Sequence, residues 1–475
     1  MRDDPADDTR LSLYFAPGIE VTPDGAVLHL ASPRFTHRVE GLNPESFVAL
    51  SRLTTPVAEA DLTAEILKVE SADGLMRFEA LKYQMKALGA LAVRLEAGGA
   101  PLANFVPMAA GTVLAEGVAR AGTAYRLSRF AALTREGDGM VLRTPRTAVR
   151  LELLDGRAAT AVLMLARPVQ PEAMAANAGI PTGAALRLLD MLLAMQAARP
   201  EAATEEDDPL QPLGCWEPHD LAFHARTRLG RHDAPFGGTF HLKGTVPPPP
   251  LVEPRPYRHD IPLAIPDLDR LRQGDMPFAE VVERRRSLRD YGPPLGIGAL
   301  GEFLYRSARI VKTISLPEGQ MDLSLRPTPG GGAIHELDIY PLVGRCAGLA
   351  PGLYHYDALE HALGLVAEAG PATEKLLQIA WTTADRKSEP QIAFTFCARF
   401  QRLQWKYQSV AYAVILKNVG ALYHSFYLTA TAMGLAPCGL GGGTLDLFCK
   451  VAGLDPYRES PVGEFMLGSL PEVQR

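Results

Sequence analysis

The sequence predicts an α+β protein in which two winged-helix-like domains precede a larger domain of helices and short strands. Three observations carry that prediction. An order of strand, turn, strand and helix occurs twice before residue 200. Two segments rich in acids or proline then interrupt the chain, and beyond residue 267 helical and strand patterns alternate. The 475 residues give length for about three domains of roughly 150 residues each. The expected boundaries are 1–110 and 111–200 for the two winged-helix-like domains, 201–266 for connecting segments, and 267–475 for the last domain.

Residues 25–30 read GAVLHL after the turn TPDG, and residues 139–144 read GMVLRT after EGDG. Each leads into an apolar run, FVALSRL at 47–53 and AVLMLARP at 161–168. A helical pattern follows each run, LTAEILKVE at 62–70 and TGAALRLLDMLLAMQAA at 182–198. We read a duplicated small domain, with chance likeness of two hairpins as the competing reading. A winged helix can bind DNA, but the helix at 182–198 offers phosphates one Arg and is otherwise rich in Leu, Ala and Met. Docking a peptide against a strand edge suits it better.

Residues 199–212, RPEAATEEDDPLQP, carry five acids and three prolines, which reads as a linker. Residues 245–266 carry eight prolines, four of them consecutive at 247–250, and read as a stiff, solvated spacer. In the last domain, helices are expected at 278–287, 298–308, 372–383, 408–434 and 444–452, and strands at 335–343, 391–399 and 463–469.

A net charge of −6 excludes a strongly basic nucleic-acid binder. The 38 Arg against 10 Lys reflect a GC-rich genome, but the scarcity of lysine makes each one informative. Five Cys, an odd number with no C-x-x-C, fit a reducing cytoplasm better than a secreted disulfide framework. The acidic start MRDDPADDTR reads as no signal peptide. The uncharged stretch from Asn418 to the glycines near 441 contains Asn, His, Ser and Thr, and reads as a buried helix and loop, with no membrane span expected. The histidines show no HExxH or paired-ligand spacing, so no metal site is expected.

Four segments could carry chemistry. Arg284, Arg285, Arg286, Ser287 and Arg289 can grip a phosphate and hydrogen-bond a polyol chain; a solvated basic helix end is the bland reading. Arg326, Pro327, Thr328, Pro329, Gly330, Gly331 and Gly332 form a loop stiffened by proline, whose glycines admit a flat ligand, or an ordinary turn. Lys406 and Tyr407 can act together as a general base, or be a surface Lys beside a core Tyr. Ala436 to Gly443, APCGLGGG, exposes backbone N–H groups to a ligand, or caps the preceding helix.

The order R-R-S-x-R, R-P-[ST]-x-G-G before a strand, K-Y before a helix, then a glycine loop resembles the nitroreductase-like flavoproteins. Within them it is most similar to the SagB-type dehydrogenases, the azoline oxidases of thiazole- and oxazole-containing peptide biosynthesis. Trp216-Glu217, the run 223–230 and Pro235 to Gly238 extend the likeness upstream. The resemblance implies a C-terminal FMN domain with a mixed sheet flanked by helices. It implies that Arg285, Ser287 and Arg289, with Arg286 nearby, hold FMN. Pro327, Thr328, Pro329, Gly330 and Gly331 would line its ring, and Gly441 and Gly442 would approach the N5 side. Lys406 and Tyr407 match the family's catalytic pair, with either residue open as the base. Nitroreductases often carry a basic pair near the C-terminus, and here only Arg475 stands beyond 458. Glycines replace the Asn and Gln frequent in the second motif, which argues against simple NAD(P)H-driven nitroreduction. Further implications are an azoline-containing precursor peptide, a YcaO-type cyclodehydratase partner, oxygen as final acceptor, and a homodimer through the FMN domain. The alternatives are an NAD(P)H-dependent nitroreductase or flavin reductase, and a non-catalytic scaffold that holds the precursor.

Overall fold

Alternating side chains place the two segments GAVLHL and GMVLRT as the middle strands of antiparallel meanders. Val27–Ser32 lies between Glu20–Asp24 and Phe35–Val39, and Gly139–Arg143 lies between Ala132–Glu136 and Val149–Leu153. Three helices follow the first meander (Pro44–Ser51, Glu59–Val69, Ala72–Ala87) and three the second (Gly156–Met164, Pro171–Ala178, Thr182–Ala194). These elements come from a computed structural model that describes residues 8–25, 27–32, 35–40, 44–69, 72–112 and 117–472. The chain divides into two units, Met1–Ala234 and Pro235–Arg475. Arg475 lies outside the described residues.

In the first unit the second meander joins a seven-stranded sheet. Its spatial order is Val57–Ala58, Thr9–Phe15, Leu91–Ala97, Ala100–Pro107, Val149–Leu153, Gly139–Arg143, Ala132–Glu136. Ala100–Pro107 pairs with Val149–Leu153, so the sheet continues across residue 110, where the sequence placed a boundary. Residues 102–107 are buried throughout, and a buried strand needs hydrogen-bond partners on both sides. Leu102, Leu142, Leu151, Leu188 and Leu192 share one core, while Leu13, Leu28, Leu50, Ile66 and Phe78 share another.

Both expected linkers are docked. Glu206, buried at 1% exposure, accepts hydrogen bonds from Ser128 Oγ at 2.7 Å, Arg129 N at 3.1 Å and Arg146 Nη1 at 2.6 Å. Its charge ties 199–212 to the first unit, while most of the segment stays exposed. In the second unit the proline-rich segment is held through its carbonyls. Trp405 Nε1 donates to Val246 O at 2.9 Å, Arg402 Nη1 to Pro249 O at 2.9 Å, and Arg399 Nη2 to Leu251 O at 2.9 Å. Prolines lack N–H groups but keep strong acceptors, so buried arginines are their natural partners.

The second unit is built on a central sheet of β1 (Ile261–Pro262), β2 (Leu337–Val343), β3 (Gly352–Asp357), β4 (Ala362–Glu368), β5 (Ile392–Arg399), β6 (Leu435–Leu440) and β7 (Glu459–Ser469), in spatial order β1-β4-β3-β2-β5-β7-β6. Every neighbouring pair is antiparallel. In place of a mixed sheet there is thus an antiparallel one, because β2, β3 and β4 follow one another through turns that reverse the chain. The parallel pair Leu295–Gly296 with Cys346–Ala347 lies outside it. The flanking helices are α1 (Phe278–Arg284), α2 (Ile297–Ala308), α3 (Pro371–Thr383), α4 (Ala411–Ala432) and α5 (Asp446–Ala452). On one face Phe303, Phe394, Phe396, Phe426 and Phe465 pack α2 and α4 on the sheet; Phe426 meets the other four at ring separations of 4.7 to 5.4 Å. On the other face Leu376, Ala380 and Phe448 of α3 and α5 pack on Tyr340, Leu342 and Met466. Among the described residues no helix is long and apolar enough to cross a membrane.

Candidate active site

The arginine-rich segment begins where α1 ends. Helix was expected to 287, but Arg285 takes φ −53°, ψ 122° and turns the chain out at Arg284. The extended chain then runs beside β6, with Leu288 N donating to Pro437 O at 2.8 Å. Tyr427 of α4 is the anchor. Its hydroxyl lies 2.7 Å from Ser287 Oγ and accepts from Gly439 N at 2.7 Å, and the Arg285 guanidinium stands 5.3 Å over its ring. Arg289 lies beside the Cys438 thiol, which burial pushes up and the Arg289 charge pulls down. Arg286 is exposed and folds back, its Nη1 donating to Glu283 O at 2.8 Å and Arg285 O at 2.7 Å.

The second cluster forms where the loop Arg326 to Gly332 meets the Lys-Tyr pair. Tyr407–Gln408 pairs as a short antiparallel ladder with Gly237–Gly238, and Phe240 N donates to Lys406 O at 3.0 Å. Lys406 Nζ stands 5.3 Å over the Phe240 ring and 5.2 Å over the Tyr407 ring, a cation–π arrangement on both. Gly332 has φ +66°, and a Cβ there would lie 2.7 Å from Tyr407 Oη and 3.1 Å from Lys406 Nζ. The backbone angle favours glycine, and a side chain there would have to displace the ends of Tyr407 and Lys406. Gly331 N donates to Asn418 Oδ1 at 3.0 Å, and Asn418 Nδ2 donates to Glu336 Oε1 at 2.9 Å and Oε2 at 3.1 Å. Thr328 is buried and gives its hydroxyl to Ser307 O at 2.8 Å, so it anchors the loop. Pro327 and Pro329 are exposed, and Gly330 lies against His335, whose imidazole burial and two arginines push down to about 4.

Gly441 and Gly442 follow β6, exposed, on a cleft of about 270 Å³ that Tyr423 and Glu464 also line. Burial raises the Glu464 carboxyl above the usual range. A Cβ on the next residue, Gly443, would collide with that carboxylate.

Sequence reasoning missed Tyr427, Asn418, Glu336 and Phe240. The one signal for Asn418 was an amide inside an uncharged apolar helix. Tyr427 and Phe240 look like core aromatics until the fold places them. The two clusters are served by different faces of α4. Asn418 and Tyr427 are nine residues apart, hence about half a turn apart around the helix and roughly 13 Å along it.

Residues 125–233 match the family model described as cyanobactin oxidase ThcOx, and residues 306–469 match the model of the nitroreductase family. The chain is similar to the trifolitoxin-processing protein TfxB of Rhizobium leguminosarum bv. trifolii, with 28% identity over 145 residues, covering 30% of this chain and 39% of the relative. It thus spans about two fifths of that relative's length. A nitroreductase-type protein of Methanocaldococcus jannaschii is 23% identical over 180 residues, covering 38% of this chain and 83% of the relative. Among solved structures, the E. coli microcin synthetase McbBCD complex with truncated pro-MccB17 bound shares 21% identity, with 54% of this chain and 95% of the other covered and a TM-score of 0.34.

Nitroreductase-family proteins bind FMN, and the residues of this domain fit that cofactor. Glu280 pairs with Arg284, while among the described residues Arg285, Arg286 and Arg289 have no carboxylate partner. The buried Arg289 Nε and Tyr291 hydroxyl also lack hydrogen-bond partners. A cationic group with open donors is what a phosphate dianion requires. The match to the nitroreductase-family model supports an oxidoreductase role for this domain.

Proposed function

We propose that the protein is an FMN-dependent azoline oxidase that converts thiazolines or oxazolines in a ribosomally made precursor peptide to thiazoles or oxazoles. One observation carries the reading: Lys406 Nζ and Tyr407 Oη converge on the space where a side chain on Gly332 would begin, in the loop that the resemblance assigns to the flavin ring. The matches to a cyanobactin oxidase model and to a trifolitoxin-processing protein support a peptide substrate.

Arg285, Ser287 and Arg289 would hold the FMN phosphate and ribityl chain, with Arg286 nearby. Pro327 to Gly331 would line the ring, and Gly441 and Gly442 would approach its N5 side. Bound FMN supplies the acceptor for a hydride. Oxidising an azoline also releases one ring proton, and the Lys406–Tyr407 pair accepts it. One member of the pair must be deprotonated to accept it, and Phe240 lies over Lys406 Nζ and keeps the pair beside the loop. Oxygen is the final acceptor. The first unit docks the peptide, a YcaO-type cyclodehydratase supplies the azolines, and the enzyme works in the cytoplasm as a homodimer.

The test is mass spectrometry of an azoline-bearing precursor incubated with the purified protein, whose expected result is loss of two hydrogens per ring. Lys406→Ala and Tyr407→Phe are expected to keep FMN and lose azoline oxidation by about a hundredfold or more. A colourless protein that takes up no FMN refutes the enzyme reading. Full activity in both variants refutes the roles given to the pair.

A further inference from the structure

We infer that Asn418 and Glu336 are positioning residues for the Lys406–Tyr407 pair, acting through the glycine loop; the inference rests on the azoline-oxidase reading for its kinetic arm. Glu336 is fully buried on the approach to β2, and its carboxylate meets one side-chain donor among the described residues, the Asn418 amide, through both oxygens. Two acceptor oxygens fix the amide's orientation. Its NH₂ faces Glu336, and its carbonyl is left facing Gly331 N–H. A Cβ on Gly331 would collide with Val414 Cγ1, so the loop sits directly on α4 one turn before Asn418. The next residue, Gly332, meets Tyr407 Oη and Lys406 Nζ. An unbroken chain of contacts therefore runs from Glu336 through Asn418 and Gly331 to the reactive pair.

The energetics favour a positional role. Burial raises the Glu336 carboxyl above its usual range despite the Asn418 hydrogen bond. A buried carboxylate with an amide is a costly way to fill a core; Arg326 and Arg399 offset its charge, but an apolar pair of similar volume would fill the space as well. What the apolar pair cannot supply is a directed acceptor for the Gly331 N–H. Without that acceptor the loop is free to lift from α4 and from the pair.

A polarity exchange tests this. In Asn418→Asp two carboxylates face each other, and their repulsion turns the accepting oxygen away from Gly331 N–H. In the double variant Asn418→Asp/Glu336→Gln, the Gln amide donates to the Asp carboxylate, whose other oxygen accepts from Gly331 N–H, with the summed charge unchanged. Amide hydrogen exchange of the peptide 328–334 is measured on the full chain, alongside kcat and KM for azoline oxidation and FMN content. For Asn418→Asp the expected result is loss of Gly331 protection and a fall in kcat of roughly ten- to a hundredfold, with FMN content kept and KM within about twofold. The double variant is expected to recover both protection and kcat. Retained protection and kcat in Asn418→Asp overturn the inference. So does a folded double variant that recovers neither. If Asn418→Asp does not fold, Asn418→Ala takes its place with the same expectations. If the wild-type protein oxidises no azoline, the functional reading fails, and hydrogen exchange alone decides the positioning role.

Discussion

Gly332 shows how closely a single residue can be specified. Its φ of +66° suits glycine, and any Cβ would press on Tyr407 Oη and Lys406 Nζ. Gly332→Ala is expected to bind FMN normally, because the arginine segment is untouched, and to lose azoline oxidation by roughly tenfold or more. Measured FMN stoichiometry beside turnover checks this; normal turnover would mean that the loop and the pair do not act together. The same residue marks the limit of what sequence can say. Arg285, Ser287, Arg289, Lys406 and Tyr407 could be singled out as candidates because their chemistry is local: adjacent guanidiniums, an amine beside a phenol. Their supports were not. Tyr427 lies 140 positions after Ser287 and Asn418 lies 82 after Glu336, and no pattern in a single chain ties such residues together. Arg286 teaches the reverse lesson. It belongs to the motif, yet it spends its donors on carbonyls of its own segment.

Among the elements, long amphipathic helices were read well and short buried strands poorly. α4 was expected at 408–434 and runs Ala411–Ala432, because over 22 residues the helical period is unmistakable. β3, GLYHYD, is buried at all six positions and shows no alternation, and β6, LAPCGL, is broken by proline and glycine. Pro437 is tolerated there because β6 is an edge strand, and Pro262 sits on the opposite edge strand β1. That the proline-rich segment is held through its carbonyls was hidden for an energetic reason. Proline removes donors and leaves acceptors, and the sequence held no local sign that Arg399, Arg402 and Trp405 would be buried beneath it. Arg402 is fully buried and donates to the carbonyls of Pro249, Pro250, Asp322 and Ile334. Arg402→Met is therefore expected to cost about 3–5 kcal/mol of stability, since it strands several buried acceptors. Urea denaturation checks the value, and a loss below about 1 kcal/mol would mean that the segment is only loosely held.

On the scale of the whole molecule, the two candidate clusters pose a geometrical problem. Tyr427 gathers Arg285, Ser287 and Gly439 on one face of α4. Asn418 and Val414 gather the glycine loop, and with it Lys406 and Tyr407, about half a turn away around the same helix. A helix with its side chains is about 10–12 Å across, and the two clusters lie on opposite sides of it. In the homodimer proposed above, the arginine segment of one protomer would hold the phosphate of a flavin whose ring meets the glycine loop and Lys-Tyr pair of its partner. Exposed Tyr412 and Leu416, one turn apart on α4, give that helix apolar surface for such a contact. Binding that requires two copies depends on protein concentration by mass action. The expected outcome is that sedimentation velocity finds a dimer carrying two FMN, and that dilution below the dimer dissociation constant releases flavin and dimer together. A mixture of Arg285→Ala/Arg289→Ala chains with Lys406→Ala/Tyr407→Phe chains then separates the possibilities. If sites form between copies, one mixed site carries all of the defects and the other carries none. Activity therefore returns, to about a quarter of the wild-type value when the chains associate at random. Sites complete within one chain would stay inactive in every combination, and a fully dead mixture would overturn the shared-site arrangement.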